Sequence, residues 1–187
     1  MIKEGVCPMF KYIIDNDVEL QLLDLYHADE IFKSIDSSRD HLREYLPWVD
    51  STISISDTRE FIQGSKKQYA ANNGFDTGIW YKGEFAGIIG FHSINRNIKS
   101  ISIGYWLNEG FVGKGIMTRA CSVLTDYAFN ILNFNRVEIQ CAIDNLKSRA
   151  IPERLGFVQE GVIRDGELLN GNYVDCVIYG MLKREWV

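Results

Sequence analysis

The residues from Ser100 to Leu107 alternate: Ile101, Ile103, Tyr105 and Leu107 fall on one face, and Ser102, Gly104 and Trp106 on the other. That is the period of a half-buried strand. Asn108-Glu109-Gly110-Phe111-Val112-Gly113-Lys114-Gly115 follows at once, after which Ile116, Ala120, Val123, Leu124, Tyr127 and Ile131 recur at helical spacing. A strand that passes through a glycine-rich turn straight into a helix demands a sheet with a helix laid upon it. It also leaves the helix's first N–H groups, and the positive end of its dipole, facing the turn. Glycine admits positive φ and lets a ligand approach the main chain closely. Two readings stand at this point: a plain strand-to-helix turn, or a main-chain cradle for a phosphate or pyrophosphate. A nucleotide loop of the Gly-Lys-Ser/Thr kind does not fit, because the order is Lys114-Gly115-Ile116. A dinucleotide fingerprint starting at Gly113 would need a glycine at Thr118.

The flanking pattern decides the fold class. Phe10 to Ile14 and Val18 to Leu22 flank Asp15-Asn16-Asp17 as a hairpin would. His27 to Tyr45 reads as two short helices broken near Ser37-Ser38 and ended by Pro47-Trp48, and Ser56 or Asp57 is expected to cap a helix that stops at Asn72-Asn73-Gly74. Phe75 to Tyr81 and Glu84 to Ser93 are joined by Lys82-Gly83, a tight hairpin signal. Arg136 to Ile143 alternates again, Asn145 to Leu155 reads as a helix stopped by Gly156, and Phe157 to Ile163 and Tyr173 to Leu182 complete the chain as strands. Helices and strands interleave while hairpins dominate, so the class is α/β (α+β) with a mixed, mostly antiparallel sheet. No repeat or linker divides residues 1–187, and one domain is expected.

Composition then removes whole classes of function. At 187 residues such a chain buries about 70% of its unfolded surface and needs no staple. The net charge of -5 argues against phosphate-backbone binding, hence against direct nucleic-acid binding. No apolar run reaches the roughly 18 residues of a membrane span, and MIKEGVCPMF lacks the apolar stretch of a signal peptide. Cys7, Cys121, Cys141 and Cys176 form no C-x-x-C pair, and His27, His41 and His92 keep no ligand spacing with them, so no metal is expected. A reducing, cytoplasmic compartment follows as the simplest expectation.

Gly113-Lys114-Gly115-Ile116-Met117-Thr118, after Gly104-Tyr105-Trp106-Leu107, resembles the acetyl-CoA pyrophosphate loop of the GNAT N-acetyltransferase superfamily. Asn145-Leu146-Lys147-Ser148 and Arg154-Leu155-Gly156-Phe157 resemble that superfamily's next motif at the expected distance. Leu46-Pro47-Trp48-Val49, the run from Leu155 to Asp165, Asn170 to Asp175, Tyr179 and Glu185-Trp186 resemble its ribosomal-protein N-terminal branch, the RimL and RimJ type. The resemblance spans nearly the whole chain.

It implies one GNAT-like domain, its twisted sheet flanked by helices on both faces, with acetyl-CoA as co-substrate, no metal, and a homodimer. It implies cofactor contacts from Trp106, Leu107, Val112, Gly113, Lys114, Gly115, Ile116, Met117, Thr118, Asn145 and Ser148, with Ser148 also protonating the departing thiolate. Glu167, in what reads as the polar connection Arg164-Asp165-Gly166-Glu167, is the implied base through water, with Asp165 and Glu109 as rivals. The implied acceptor is a protein N-terminal α-amine; a small amine such as a polyamine or antibiotic, or a non-catalytic CoA-binding sensor, are the alternatives. Two departures matter. Gly110 stands where many members carry Gln or Arg, and Pro152 stands where many carry a thiolate-protonating Tyr, which excludes that acid here.

The residues themselves allow the chemistry. An α-amine has an ordinary pKa near 8 and a thiol near 8.5, so neither a strong base nor a strong acid is required. The tetrahedral oxyanion needs an N–H donor, which the resemblance implies comes from a strand splayed open around Trp106 to Asn108. Asn145 suits a helix cap. Pro152 lacks the N–H that would bond the Ser148 carbonyl. Lys114 and Arg119 could meet phosphates, and Trp48, Trp80 and Trp106 are large enough to wall an acceptor groove.

Overall fold

A computed structural model describes residues 11–186. Cys7 and Phe10, and with them the amino-terminal segment and the first edge of the expected hairpin, lie outside the described residues.

Short β1 (Lys11–Ile13) pairs with β2 (Val18–Leu22) across the Asp15-Asn16-Asp17 turn, where the Asp15 carboxylate accepts from the N–H groups of Asp17 and Val18. Next come α1 (Ala28–Ser37) and α2 (Arg39–Leu42), broken at Ser38 as the sequence predicts. Pro47 to Ser51 coil into a 3-10 turn rather than merely ending the region. Helix α3 (Ile55–Ala70) starts earlier than expected. Its cap is Ser54, not Ser56 or Asp57, and Asp57 closes the box by accepting from the Ser54 N–H at 2.8 Å.

The strands β3 (Phe75–Tyr81), β4 (Glu84–Asn95) and β5 (Ser100–Leu107) form an antiparallel meander. The β3–β4 turn takes positive φ at both Lys82 and Gly83, the geometry that the Lys-Gly pair predicts. Helix α4 (Ile116–Asp126) leads through a π-helical turn, Tyr127–Ile131, to β6 (Arg136–Ala142). That turn breaks the helical period: Ala128 and Phe129 are buried, whereas Tyr127 and Ile131, expected on the apolar stripe, are exposed. Helix α5 (Leu146–Arg154) ends at Gly156, whose φ of 78° makes it the left-handed residue after the helix.

The final hairpin differs most from expectation. Strand β7 (Val158–Leu169) runs through Arg164-Asp165-Gly166-Glu167, which the polar composition had marked as a connection, and turns at Asn170-Gly171 into β8 (Asn172–Leu182). Both turn residues have positive φ, and the polar run is a bulge in which Asp165 is left-handed.

Among the described residues, eight strands make one sheet in the order β1-β2-β3-β4-β5-β6-β8-β7, antiparallel except for β5 with β6. Side chains alternate between two cores, as pleating requires. Ile89, Phe91, Ile101, Ile103, Val137 and Ile139 meet α4 and α5 on one face. Trp80, Phe85 and Ile88 meet α1 and α3 through Ile31, Ile35 and Ile62 on the other. Cys121, Cys141 and Cys176 are free and buried, as core residues.

Candidate active site

The parallel pair β5 and β6 creates the site. The two strands pair only from Ser100–Arg136 to Ser102–Glu138, at their amino ends, and then part. Each carboxyl end feeds a helix, α4 after β5 and α5 after β6. Both helix amino termini therefore face the gap, the place where α/β sheets collect ligands. A groove of about 790 Å³ opens there, lined by residues of β5, the glycine loop, α4, α5 and the segment after α2.

Of the residues singled out for cofactor binding, Trp106, Leu107, Val112, Gly113, Gly115, Ile116, Met117, Thr118, Asn145 and Ser148 line this groove. Lys114 does not. Its ammonium lies over the rings of Phe111 and Tyr81, 5.0 and 5.4 Å from their centroids. Gly115 is the amino-terminal cap of α4, left-handed at φ 70°, and no side chain caps that end or places an acid in its first turn. A Cβ at Gly113 or Gly115 would meet nothing within 4 Å, so these glycines answer a backbone need and leave space above the main chain. The free amides of an eleven-residue helix, with that space before them, suit a pyrophosphate.

Arg119 lines the groove and braces the loop, with Nη2 on the Lys114 carbonyl at 3.3 Å and Nη1 on Asp15 at 2.5 Å. Hydrogen bonds from Asp17 and then the Arg119 guanidinium hold the Asp15 carboxyl below its ordinary range. Arg154, missed as a site residue, crosses from α5 to donate to Thr118 Oγ1 at 2.7 Å and lines the groove. Nothing local marks it, since the contact joins positions 36 apart.

In the gap itself, main-chain direction assigns the donors. The Asn108 N–H is taken by the Ala86 carbonyl at 2.8 Å, and the register sets Gly87 opposite Leu107. Antiparallel pairing alternates the direction of the polar groups. The Leu107 N–H therefore turns away from β4, toward the side that β6 has vacated. Of the stretch Trp106 to Asn108, Leu107 is the amide free to serve an incoming oxygen. Trp106 lines the groove and packs on Trp48 at 5.9 Å, whereas Trp80 is buried in the core beside Phe85, not on a wall.

Ser148 sits one turn into α5. Its N–H donates to Asn145 Oδ1 at 3.1 Å, so Asn145 is the helix cap. Its hydroxyl lies 3.1 Å from the Cys141 sulfur and 3.1 Å from the Tyr105 phenol, and that phenol also donates to the Ser148 carbonyl at 3.1 Å. Burial raises the pKa of both the Tyr105 phenol and the Cys141 thiol, so both keep their protons. The sequence shows why a carbonyl is free at 148, but not that Tyr105 fills it.

Glu167 stands on strand β7 rather than in a turn, is exposed to solvent, and is not among the groove-lining residues. Partial burial of its carboxyl raises its pKa, against a hydrogen bond from the Cys176 thiol that lowers it. Its charge also reaches Cys141, the thiol that touches Ser148. Of its rivals, Asp165 is exposed at the bulge, its N–H bonded to Asp175, and Glu109 lies exposed in the turn before the glycine loop. Glu44, Tyr45, Asp144 and Lys147 also line the groove, the Tyr45 hydroxyl donating to the Asp144 carbonyl at 3.3 Å. Among the described residues no His, Cys, Asp and Glu cluster could hold a metal, and no helix is long and apolar enough to cross a membrane.

Residues 17–158 match the acetyltransferase (GNAT) domain. YdaF of Bacillus subtilis (strain 168) is 39% identical over 95% of this chain and 98% of its own length. The ribosomal-protein-serine acetyltransferase of Escherichia coli (strain K12) is 28% identical over 90% of this chain and 94% of its own. Among solved structures, RimL, a ribosomal L7/L12 alpha-N-protein acetyltransferase in complex with coenzyme A, superposes with a TM-score of 0.87 at 29% identity. It covers 92% of this chain and 97% of its own. With its parted strands, glycine loop and uncapped helix, the chain belongs to the GNAT acetyltransferase family and is an acetyl-CoA-dependent acetyltransferase.

Proposed function

We propose that this enzyme acetylates the N-terminal α-amine of a protein, a ribosomal protein being the favoured acceptor, by direct attack in a ternary complex. It acts in the cytoplasm as a homodimer. The observation that carries the reading is a single groove with an anion cradle and carboxylates in its lining. Free amides and Arg154 stand at the α4 end, where an anionic cofactor belongs, and Glu44 and Asp144, which attract an ammonium, line the same groove beside His41 and Lys147. The Escherichia coli relative acts on ribosomal-protein serine and RimL on the L7/L12 α-amine, which favours a peptide over a small amine.

In this reading the pyrophosphate lies on the amides from Gly113 to Thr118, and the thioester carbonyl points at the Leu107 N–H. Glu167 accepts the amine proton through water. The nitrogen adds to the carbonyl carbon, and the resulting oxyanion is held by the amide. Collapse breaks the C–S bond, and the thiolate takes the Ser148 hydroxyl proton as Ser148 takes the second proton of the acylated nitrogen. Acetyl-CoA incubated with a panel of N-terminal peptides, polyamines and aminoglycosides, followed by free thiol release, tests this. Turnover is expected with peptides carrying a free α-amine and is abolished by blocking that amine. Turnover on small amines alone overturns the acceptor, and binding without turnover on any overturns the enzymatic roles.

A further inference from the structure

Ser148 has a difficulty as a proton donor. An alkoxide is a much stronger base than a thiolate, so a serine gives up its proton only while another group supports its oxygen. Two hydroxyl-bearing side chains and one thiol close a small ring around this point: Cys141 Sγ and Tyr105 Oη each lie 3.1 Å from Ser148 Oγ, and Tyr105 Oη lies 3.1 Å from the Ser148 carbonyl. The Tyr105 phenol thus has two acceptors at equal distance on one residue, for its single proton.

That second acceptor exists because of Pro152. A proline inside a helix supplies no N–H to the carbonyl four residues earlier, and its ring pushes that carbonyl aside. Here that carbonyl belongs to Ser148, and it finds the Tyr105 hydroxyl across the gap between α5 and β5.

Resting on the assignment of Ser148 as thiolate donor, we propose that Tyr105 is its positioning residue and that Pro152 enables it. Between turnovers the Ser148 hydroxyl donates to Tyr105 while Tyr105 donates to the Ser148 carbonyl. As the thiolate departs, Ser148 turns its O–H to sulfur and gives that proton up while its oxygen takes the second proton of the acylated nitrogen through water. Tyr105 shifts its own O–H from the carbonyl to Ser148 Oγ during the exchange. No bond to Tyr105 is made or broken, and its proton stays on the phenol throughout.

Four variants test this: Tyr105→Phe, Ser148→Ala, the pair combined, and Tyr105→Phe with Pro152→Ala. Tyr105→Phe is expected to lower kcat about tenfold, the effect of one hydrogen bond of ordinary strength, with KM for acetyl-CoA unchanged. The Tyr105→Phe/Ser148→Ala pair should be no slower than Ser148→Ala alone, since Tyr105 acts through Ser148. Removing the phenol also leaves the Ser148 carbonyl unpartnered and lowers Tm. Adding Pro152→Ala to Tyr105→Phe returns an N–H to that carbonyl, so Tm should recover while kcat stays low. Recovery of kcat together with Tm would reduce Tyr105 to a structural part, and additive losses in the Tyr105→Phe/Ser148→Ala pair would show it acting independently; either overturns the inference. Wild-type turnover by Ser148→Ala would instead remove the assignment beneath it, a separate result from wild-type turnover by Tyr105→Phe alone.

Discussion

At the scale of single residues, Gly113 and Glu167 show the two ways a site residue can be written into a chain. Gly113 is legible because its requirement is local: φ of 82° and open space above it are conditions that a neighbouring Gly115 and a following helix already announce. Gly113→Asp adds a carboxylate at the proposed pyrophosphate site. With an effective dielectric near 20, two such charges a few ångströms apart repel by several kcal/mol, so calorimetry should show CoA affinity falling by about tenfold or more. Gly113→Ala meets no atom and bears only the backbone cost of about 1–2 kcal/mol in folding, with affinity largely kept. Equal affinity in Gly113→Asp and wild type would take the pyrophosphate off this loop. Glu167 was found by resemblance alone, and its surroundings were misread, because Arg164-Asp165-Gly166-Glu167 has turn composition while Asn170-Gly171 makes the turn. Desolvation raises its pKa, so the carboxylate takes up its proton at a higher pH than an ordinary glutamate would, and activity that needs the carboxylate is lost as pH falls through that raised pKa. Glu167→Gln should lower kcat by about 10²-fold and leave an acid limb set by the acceptor amine alone. An unaltered pH profile removes it as the base.

At the scale of elements, local signals and tertiary ones separate cleanly. The hairpin at Lys82-Gly83, the break at Ser38 and the stop at Gly156 each depend on the backbone needs of one or two residues, and all three were readable. The start of α3 was read two or three residues late, since Ser54, Ser56 and Asp57 are all capping types and only geometry shows that Ser54 and Asp57 serve each other. Ser54→Ala should cost about 1 kcal/mol, a Tm loss of roughly 2–4 °C for a chain of this size. Ser56→Ala should cost nothing comparable, and the reverse order would refute the cap. The π-helical turn at Tyr127–Ile131 lies beyond any period count, because one extra residue in the coil is chosen by burial of Phe129 rather than by spacing. The parting of β5 from β6 is not written in either strand's own alternation; only the family resemblance, which puts a splayed strand around Trp106 to Asn108, points to it.

At the scale of the whole molecule, an open sheet of eight strands has two edges to protect. Strand β1 is three residues long and carries Lys11, a short charged edge of the kind that resists pairing. Strand β7 is twelve residues long, and Val158, Val162 and Ile163 remain 55%, 46% and 46% exposed along it. A long edge with uncovered valines invites aggregation unless something covers it, and a second copy of the chain meets that need without a new component. The net charge of -5 is compatible with such a face because its apolar residues are localised, and with an anionic cofactor because main-chain amides, not a basic surface, hold it. If β7 forms the homodimer face, the wild type should elute at twice its 21.4 kDa, and Val158→Lys with Val162→Lys should elute at 21.4 kDa with CoA affinity intact, since neither valine lines the groove. Wild-type elution at 21.4 kDa would rule out the homodimer, and a dimer that survives both lysines would move its interface to another face.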